Sequence, residues 1–517
     1  MRYVIGVDVG TSSVKASLFS ESGLPVASGF SSYETHYSGA LCAEQDPQQW
    51  WAATVSVLNK ITRALPSLKD DEIAGISVSS QSPSLVALDK QGGIIRPAMI
   101  WADRRAEAEM QHIANEVVGI DRYREILGAE PDAFYTLPKL IWYKENEPEN
   151  YSKTHMLLQA NGYINYKLTG VYAIDVYQAI ATHMMDCKTQ AWSSELGRIL
   201  DVPFDCILPE IYKATDIIGV VNREASLSTG LKEGVPVAAG ITDSMAAVCG
   251  MGVFTAGQSC DMTGTSTLVC MASADTATTG GKLQVKPSAL SSVGSYLMAP
   301  ISSTGASVKW YAETLGIGEC VNEQAIADSV YDKMNLEAVN AKCGSEGLLF
   351  FPYMAGERAP LWNSYSTGMF IGLTLKTKRK DIVRAIYEGT SYAVRHVYDE
   401  AKTRGFSPSA IFCGGGGCKS DIWLKIKASI LNHELLITND GADSSVRGNA
   451  LIAGVASGLY NDIEKAGEEI VKVTKTVEPN PLWTKIYDEL YPYYRSLYTS
   501  VEPELINLEK TVKHLKL

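Results

Sequence analysis

The first residues of this chain that could do chemistry form a Gly-Thr-Ser turn between two strand-like runs near the N-terminus. An apolar, β-branched run over residues 3–9 leads into the turn and a second run follows at once, which predicts a β-hairpin. Glycine lets a backbone approach a phosphate closely, and hydroxyl and amide groups then donate to its oxygens. The pattern predicts a nucleotide-phosphate clamp, with an ordinary Gly-Thr turn as the alternative. The clamp residues are Gly10, Thr11, Ser12, Ser13 and Lys15.

Two carboxylates stand at the ends of apolar, strand-like runs, where a carboxylate needs a cation or a proton. Asp8 lies two residues before Gly10, beside the predicted clamp. Asp243 follows the apolar run 235–241 and precedes the small residues of a helix-like run, 245–250. An aspartate there suits the acceptance of a proton, with a helix N-cap as the alternative. The sequence leaves both roles open for Asp243.

A second strand–turn–strand pattern lies about half a chain later, over residues 259–270, and its tip is Thr263-Gly264-Thr265-Ser266. Two such hairpins predict two similar domains, each presenting a phosphate hairpin to a cleft between them. No low-complexity linker marks the boundary between the halves, which falls near residues 245–256. We place the domains at 1–246 and 247–517.

Four consecutive glycines, 414–417, precede another helix-like run. This is not a Walker A loop, because Cys418 rather than glycine precedes Lys419 and no glycine lies at the required earlier spacing. The bare backbone lets an adenine and a ribose lie against it. Asp421 either caps the helix that follows or meets the nucleotide, and both roles stay open.

Between these residues, strand-like and helix-like segments alternate. Strands are predicted over 25–32, 73–79 and 84–88, an extended run over 94–101, and an amphipathic helix over 48–64. This order predicts layered α/β domains with a mixed sheet. The tail, 475–517, is interrupted by prolines and then reads as a charged helix that packs on the second domain.

Length, charge and cysteine usage exclude several classes of protein. A chain of 517 residues exceeds one hydrophobic core, so two or more domains are expected. The net charge of −12, without a basic stripe, argues against a nucleic-acid partner. No apolar run is long enough to span a membrane, and no signal peptide precedes the first strand. The 10 scattered cysteines fit reduced thiols in the cytoplasm, and the dispersed histidines predict no zinc site.

Several further segments, taken together, resemble the FGGY family of carbohydrate kinases. Residues 351–360, 368–373 and 381–388 resemble the second signature of that family, and residues 134–142 resemble the first. The first signature departs at Tyr143, where the family has an aliphatic residue or phenylalanine. The resemblance extends from about residue 3 to about residue 460, with its motifs in the family's order.

The resemblance implies an α/β fold of two ribonuclease-H-like domains, of the actin-type ATPase architecture, around a central cleft. It implies transfer of the γ-phosphoryl group of ATP to a hydroxyl of a small polyol or ketose. Asp243 matches the catalytic base and a substrate contact, and Asp8 matches the carboxylate that acts on Mg²⁺ through water, with Asp243 as a further option for the metal. The nucleotide roles extend to Gly264, Thr265, Ser266, Gly305, Lys309, Gly416, Gly417 and Asp421.

The substrate side is matched by Gln81, Ser82, Pro83, Trp101 and Asp103, which offer amide, hydroxyl, aromatic and carboxylate partners for a polyhydroxylated ligand. An exposed helix start would explain Asp103 and Arg104 equally well. Residues 44–51 look close to xylulokinases, so xylulose or a related pentulose is the first candidate. Xylulokinases typically have Gln-Met-His-Gly where this chain has Gln81-Ser82-Pro83-Ser84. Another ketose, a polyol or a sugar acid therefore stays open.

The competing class is an actin-like or chaperone-like ATPase without a sugar substrate, since it shares the phosphate hairpins. The segment 101–104, the loop 356–358 and Asp243 weigh against it. We therefore expect ATP and a small sugar as ligands, no nucleic-acid or membrane partner, and a homodimer as an open option.

Overall fold

The computed structural model describes residues 1–39, 41–63, 73–276, 281–315, 323–439 and 444–515, and in the helix at 323–340 it describes the side chains from residue 330 onward. The strands are β1 (Tyr3–Val9), β2 (Ser13–Ser20), β3 (Pro25–Ser32), β4 (His36–Tyr37), β5 (Ala43–Gln45), β6 (Ile73–Ser80), β7 (Val86–Leu88), β8 (Ala98–Met99), β9 (Met156–Leu158), β10 (Ala173–Asp175), β11 (Glu210–Tyr212), β12 (Ile217–Val220), β13 (Pro236–Ala238), β14 (Ile241–Thr242), β15 (Gln258–Thr263), β16 (Thr267–Ser273), β17 (Gln284–Pro287), β18 (Ser295–Ile301), β19 (Leu349–Phe351), β20 (Met369–Ile371), β21 (Ala410–Gly414), β22 (Leu435–Thr438) and β23 (Val473–Val477).

The α-helices are α1 (Pro47–Arg63), α2 (Glu107–His112), α3 (Ile120–Leu127), α4 (Thr136–Asn146), α5 (Pro148–Tyr151), α6 (Ala160–Thr169), α7 (Val176–Thr182), α8 (Ser194–Ile199), α9 (Phe204–Ile207), α10 (Arg223–Thr229), α11 (Asp243–Gly250), α12 (Thr304–Thr314), α13 (Glu323–Asn340), α14 (Arg379–Lys402), α15 (Asp421–Leu431), α16 (Ser444–Ala456), α17 (Ile463–Ile470) and α18 (Pro481–Leu515). A π-helical turn follows α2 at Ile113–Val117, and 3₁₀ turns occupy Ser345–Gly347 and Gly416–Lys419.

The first large sheet has the strand order β12-β13-β6-β1-β2-β3, with β14 also paired to β6. Strands β1 and β2 form the predicted antiparallel hairpin, with Asp8 opposite Lys15. Strand β6 runs parallel to both β1 and β14. The carboxyl ends of β1, β6 and β14 therefore meet at one edge of the sheet, which brings the ends of two predicted aspartate-bearing strands together.

The second large sheet has the order β17-β18-β16-β15-β21-β22-β23. Its hairpin, β15–β16, is antiparallel, and β21 runs parallel to β15 just as β6 runs parallel to β1. The internal repeat predicted from the two Gly-Thr-Ser turns is thus present in the topology. Each sheet is covered by helices over its own buried apolar cluster.

The two halves of the chain are joined by a close crossing of α11 and α16. A side chain at Gly250 would lie 1.8 Å from the carbonyl oxygen of Ser444, and one at Gly448 would lie 1.8 Å from that of Ala246. Helix α16 also lies on the first sheet, where a side chain at Gly6 would lie 2.0 Å from the Val446 carbonyl oxygen. Glycine at these positions lets backbone pack directly on backbone.

Most predicted elements are confirmed, and their bounds differ by a few residues. Strand β3 spans the predicted 25–32, and α1 covers the predicted helix as far as Arg63, its last residue falling outside the described residues. The extended run 94–101 contains only the two-residue strand β8. The tail forms α18, which contains Pro492 and Pro503 and contacts α15 of the second half. Within the part of the chain that is described, no helix has both the length and the apolar character needed to cross a membrane.

Candidate active site

Asp8 lies at the carboxyl end of β1 and is almost fully buried. Each of its carboxylate oxygens accepts a hydrogen bond from a hydroxyl, Ser79 on β6 at 2.6 Å and Ser445 on α16 at 2.8 Å. Asn449, one turn further along α16, donates to the hydroxyl of Ser79 (2.7 Å). Both halves of the chain therefore hold this carboxylate in place.

Asp243 is the first residue of α11, directly after β14. The pKa of Asp243 is raised to about 7, mainly by burial and then by the negative charge of Asp8. A hydrogen bond from the Ser244 backbone N–H lowers the pKa but does not offset these effects. The helix is capped by the side chain of Thr242, so the N-cap alternative for Asp243 is wrong. The structure thus brings the two predicted carboxylates together at the edge where β1, β6 and β14 end.

Tyr33 completes the first hairpin on the side of these carboxylates. Its hydroxyl donates to the carbonyl of Gly10, and its backbone N–H donates to the carbonyl of Ser12 (3.1 Å). Burial, followed by the charges of Asp8 and Asp243, raises the pKa of the Tyr33 hydroxyl far above its usual value. Tyr33 is therefore a neutral donor that fixes the tip of the hairpin beside both acids.

The glycines at the two tips face open space rather than protein. A side chain at Gly10 would meet only the Ser13 carbonyl, at 3.4 Å, and one at Gly264 only the Ser266 carbonyl, at 3.9 Å. Neither backbone lies in the left-handed region, so the fold itself does not require glycine there. What the missing side chains provide is room for a ligand at both tips.

Gly305, at the start of α12, has a different role in the structure. A side chain there would lie 2.0 Å from the carbonyl oxygen of Gly264, so glycine lets α12 pack on the second hairpin. The Ala306 N–H donates to the Thr265 carbonyl (2.8 Å) and Thr304 shares a hydrogen bond with Thr267. Lys309 is exposed and pairs with Glu313 on the same helix. Nucleotide contact by Gly305 and Lys309 stays a prediction.

The glycine run follows β21 and passes through a 3₁₀ turn into α15. A side chain at Gly416 would meet nothing within 4 Å, whereas one at Gly417 would meet Thr263 at 2.8 Å. The cap of α15 is Ser420, so the capping alternative for Asp421 is wrong. Asp421 is exposed and pairs with Lys475 on β23 (2.5 Å). Within the run, Gly416 has open space where a side chain would stand, whereas Gly415 and Gly417 pack on Thr263 of the second hairpin.

Gln81 and Ser82 follow β6, next to the edge that carries Asp8. Gln81 is fully buried, its backbone N–H donates to the Val9 carbonyl (2.8 Å), and its Nε2 donates to Oε1 of Gln45 (2.7 Å). The Gln81 Oε1 and the Ser82 hydroxyl are buried and have no partner among the described residues. Buried polar atoms are normally paired, so these two atoms point to a polar ligand. Pro83 follows through a cis peptide bond.

Trp101 and Asp103 lie in the segment after β8. The Trp101 Nε1 donates to the Thr11 hydroxyl (2.9 Å). This bond joins Trp101, a predicted substrate contact, to the tip of the first hairpin. Asp103 is fully buried, so the exposed-helix alternative is wrong for this residue. Its carboxylate forms a bidentate pair with Arg105 (2.7 and 3.0 Å) and accepts from the Ala43 N–H. These contacts hold the segment together, and substrate contact by Asp103 stays a prediction.

The first-signature segment packs beneath this region. Lys139 on α4 is buried and donates to the carbonyls of Ile100 and Phe134, both at 2.8 Å. Burial lowers the pKa of Lys139 to about 7, although the charge of Asp103 opposes this. Lys139 thus ties the start of α4 to the segment that carries Trp101.

The second-signature loop belongs to the second half and lies near enough to Asp132 of the first half for that charge to act on Arg358. One carboxylate oxygen of Glu357 accepts from the N–H groups of Ser302 and Arg358 (both 2.8 Å), and the other is buried without a partner among the described residues. Burial raises the pKa of Glu357 to about 7. Burial lowers the pKa of Arg358, and the charges of Glu357 and of Asp132, in the first half, oppose the shift.

Sequence reasoning did not single out Tyr33, Gln45 or Lys139 as site residues. Gln45 and Lys139 lay inside segments that carried the family resemblance, so polar residues within those segments were the available signal. Tyr33 follows β3 with no motif around it. Its position near Asp8 and Asp243 depends on the fold of the whole sheet.

Two ribonuclease-H-like α/β domains, each with a Gly-Thr-Ser hairpin, define a two-domain phosphotransferase of the actin-type ATPase architecture, as predicted. Comparison with known proteins identifies the family of the chain. Residues 3–250 match the N-terminal domain and residues 262–457 match the C-terminal domain of the FGGY family of carbohydrate kinases. The chain belongs to this family, and the resemblance inferred from its motifs is confirmed.

The relatives fall into more than one substrate group. A xylulose kinase of Lactococcus lactis is 31% identical over 96% of this chain and 97% of its own length. A gluconokinase of Bacillus subtilis is 28% identical over 97% of this chain and 96% of its own length. The solved xylulose kinase of Rhodospirillum rubrum superposes with a TM-score of 0.88 at 25% identity, covering 98% of this chain and all of that chain.

Proposed function

We propose that this carbohydrate kinase transfers the γ-phosphoryl group of ATP to a hydroxyl of a ketose, with xylulose or a related pentulose as the first candidate. The observation that carries the proposal is the pair Asp8 and Asp243 at one sheet edge, with the pKa of Asp243 raised to about 7. A base with a pKa near the working pH is suited to accepting a proton during catalysis. A purely conformational ATPase has no need of such a base.

The chemical step follows from these positions. The carboxylate of Asp243 accepts the proton of the substrate hydroxyl as that oxygen forms its bond to the γ-phosphorus, and the bond from the γ-phosphorus to the bridging oxygen breaks to release ADP. Such transfers are catalysed mainly by positioning and by electrostatic stabilisation. The first hairpin, held by Tyr33, and the second, held by α12, offer backbone N–H and hydroxyl donors for the phosphates.

Magnesium fits the donor chemistry beside the first hairpin. The donors are carboxylate and hydroxyl oxygens, and Mg²⁺ is usually held by one or two carboxylates together with waters and substrate phosphates. Asp8, whose oxygens already accept two hydroxyls, would hold Mg²⁺ through water, with Asp243 as a further carboxylate. When bound, Mg²⁺ neutralises charge on the phosphates. Among the described residues no three His, Cys, Asp or Glu side chains group together as a metal site.

A sugar acid is the second candidate, favoured by two cations of the second half. The guanidinium of Arg358 and the ammonium of Lys286 have no hydrogen-bond or ion-pair partner among the described residues. Burial lowers the pKa of Lys286 to about 8, and the charge of Lys286 adds to burial in lowering the pKa of His183. His183 stacks on Tyr135 of the first signature. A carboxylate on the substrate would neutralise such cations, whereas a neutral ketose would not.

A substrate panel tests the proposal and separates its candidates. Ketopentoses, ketohexoses, polyols and aldonates are each incubated with ATP and Mg²⁺, and ADP release is coupled to a spectrophotometric signal. We expect one class to raise ADP release well above the sugar-free rate, with pentuloses strongest for the first candidate and aldonates for the second. ADP release that no member stimulates would contradict the kinase proposal and favour the conformational ATPase.

The division of the chain at residues 246 and 247 remains part of this proposal. The two family matches end at residue 250 and begin again at residue 262, which supports a boundary in this region. Under this division Asp243 closes the first domain and the second hairpin opens the next.

A further inference from the structure

Thr11, at the tip of the first hairpin, is held by two side chains that come from the substrate side. Gln45 Nε2 donates to the Thr11 carbonyl (2.7 Å), and Trp101 Nε1 donates to the Thr11 hydroxyl (2.9 Å). Among the described residues, the backbone N–H groups of Thr11 and Ser12 donate to no protein acceptor. The tip is therefore fixed from behind, and its donors are left for a ligand.

Gln45 uses its whole hydrogen-bonding capacity in this contact. Its Nε2 also donates to the Thr35 hydroxyl (2.6 Å), and its Oε1 accepts from Gln81 Nε2 (2.7 Å) and Trp50 Nε1 (2.9 Å). A primary amide has two N–H groups and two lone pairs, so all four are occupied. Gln45 is also almost completely buried. A side chain bonded in this way has a single orientation.

One series of hydrogen bonds therefore runs from Gln81 to the phosphate hairpin. The free Oε1 of Gln81 is the acceptor for a substrate hydroxyl, and Gln81 Nε2 donates to Gln45. Gln45 donates to the Thr11 carbonyl, whose peptide unit carries the N–H of Ser12. Every link points in the same direction, and hydrogen bonds in such chains polarise and strengthen one another.

We propose that Gln45 is a positioning residue that couples occupancy of the sugar site to the phosphate hairpin. The proposal rests on the sugar-kinase function proposed above. A sugar hydroxyl on Gln81 strengthens the Ser12 N–H as a phosphate donor and holds the tip in place. Because coupling between two ligands is reciprocal, ATP tightens sugar binding by the same factor.

The test variant is Gln45→Glu, which keeps an acceptor oxygen for Gln81 and Trp50 and removes the N–H groups donated to Thr11 and Thr35. Calorimetry measures the affinity for the best sugar of the panel with and without a non-hydrolysable ATP analogue and Mg²⁺. In the unmodified enzyme we expect the analogue to tighten sugar binding at least about fivefold, the lower end of typical couplings. In Gln45→Glu we expect the analogue to change sugar affinity by less than about twofold. The sugar affinity measured without nucleotide changes by less than about threefold.

Two controls separate coupling from a general structural defect. Trp50→Phe removes a different hydrogen bond to Gln45 and leaves the hydrogen bonds from Gln45 to Thr11 and from Gln81 to Gln45 in place, so it retains the coupling factor. Gln48→Glu makes the same change at an exposed neighbouring glutamine and alters nothing. A coupling factor of one in the unmodified enzyme, a factor retained in Gln45→Glu, or an equal loss in Trp50→Phe would each overturn the proposal. If Gln45→Glu melts far below the unmodified enzyme, Gln45→Met replaces it and is held to the same coupling criterion.

The effect of Gln45 on the phosphate hairpin is also measured without sugar, as the affinity for the ATP analogue alone. Gln45→Glu is expected to lower the affinity for the ATP analogue roughly threefold to tenfold, the effect of one lost hydrogen bond. Gln48→Glu is expected to leave this affinity unchanged. If no sugar supports turnover by the unmodified enzyme, the proposed function fails, whereas unchanged analogue affinity in Gln45→Glu refutes the role of Gln45 itself.

Discussion

The hairpin at Gly10 and the hairpin at Gly264 have the same backbone plan but differ in the acid behind each tip. Asp8 lies two residues before Gly10 and shares its edge with Asp243, whose pKa it raises. The second hairpin has Met262 at the corresponding position. Its acid, Asp261, lies one residue earlier, on the opposite face of the strand.

Asp261 is fully compensated within the protein. Both of its oxygens lie 2.8 Å from Nζ of the buried Lys427, and the Thr263 hydroxyl donates to one of them at 2.6 Å. Asp8 has hydroxyl partners and faces a second carboxylate. Asp8 thus places a negative charge beside Asp243, whereas the charge of Asp261 is paired with that of Lys427. Under the function proposed above, the same scaffold serves catalysis in one half and anchoring in the other.

The largest expected effect is the loss of Asp243, the acid that lies beside Asp8 of the first hairpin. Asp243→Asn lowers kcat by about 10²–10⁴-fold, the usual scale for a general base, because the amide cannot accept the substrate proton. Steady-state kinetics with the best sugar measures it, and the ATP-analogue affinity serves as a check on the fold. Near-normal turnover in the variant would remove Asp243 from its assigned role.

At the second hairpin the corresponding change acts on stability. Asp261→Asn leaves the Lys427 ammonium buried without a counter-charge, which costs about 3–5 kcal/mol of unfolding free energy. Denaturant titration measures the loss, and the double variant with Lys427→Met recovers most of it. If instead Asp261→Asn stayed as stable as the parent and lost kcat, the contrast between the two hairpins would be wrong.

The pH dependence sharpens the role of Asp243. The pKa of Asp243 in the ligand-free protein is raised to about 7, so kcat/KM falls about tenfold per pH unit below that value and levels off above it. The folded-state pKa is also raised above the unfolded value, so the folded state binds more protons between about pH 4 and pH 7 and loses stability as the pH rises through that window. Asp243→Asn removes this loss, so at pH 7 to 8 it unfolds at a higher temperature than the parent. A pH-independent difference between the two melting temperatures would contradict the assignment.

The smallest effects are expected at the glycines of the tips. Gly264→Ala meets no protein atom closer than 3.9 Å, so its stability is unchanged while its KM for ATP rises roughly threefold to tenfold, as for one lost hydrogen bond. Gly305→Ala would place its side chain 2.0 Å from the Gly264 carbonyl and is destabilised instead. Melting temperatures and KM values for the two variants make a matched pair. The reverse pattern would show that the space at Gly264 is not used by a ligand.

Local patterns were enough to predict β1, both hairpins and the repeat between them, because strand periodicity and turn residues lie close together in sequence. The apolar run before Asp243, expected to be one strand, divides into β13 and β14. They were not enough for Ser445, which reaches Asp8 across 437 positions. Nor did they settle the caps of α11 and α15, where Thr242 and Ser420 take the role that was left open for the following aspartates. The four bonds of Gln45 depend on contacts between separate elements, which no single segment encodes.

The seating of α16 on the first sheet limits how relatives of this enzyme can be recombined. A helix from near the end of the chain supplies Ser445 to Asp8, and its Asn449 donates to the Val7 carbonyl of β1. A chimaera that exchanges residues 1–246 alone would join a new β1 to an old α16, at a contact where Gly6 has no room for a side chain. Transplanting substrate preference between family members therefore requires residues 444–456 to travel with the N-terminal half.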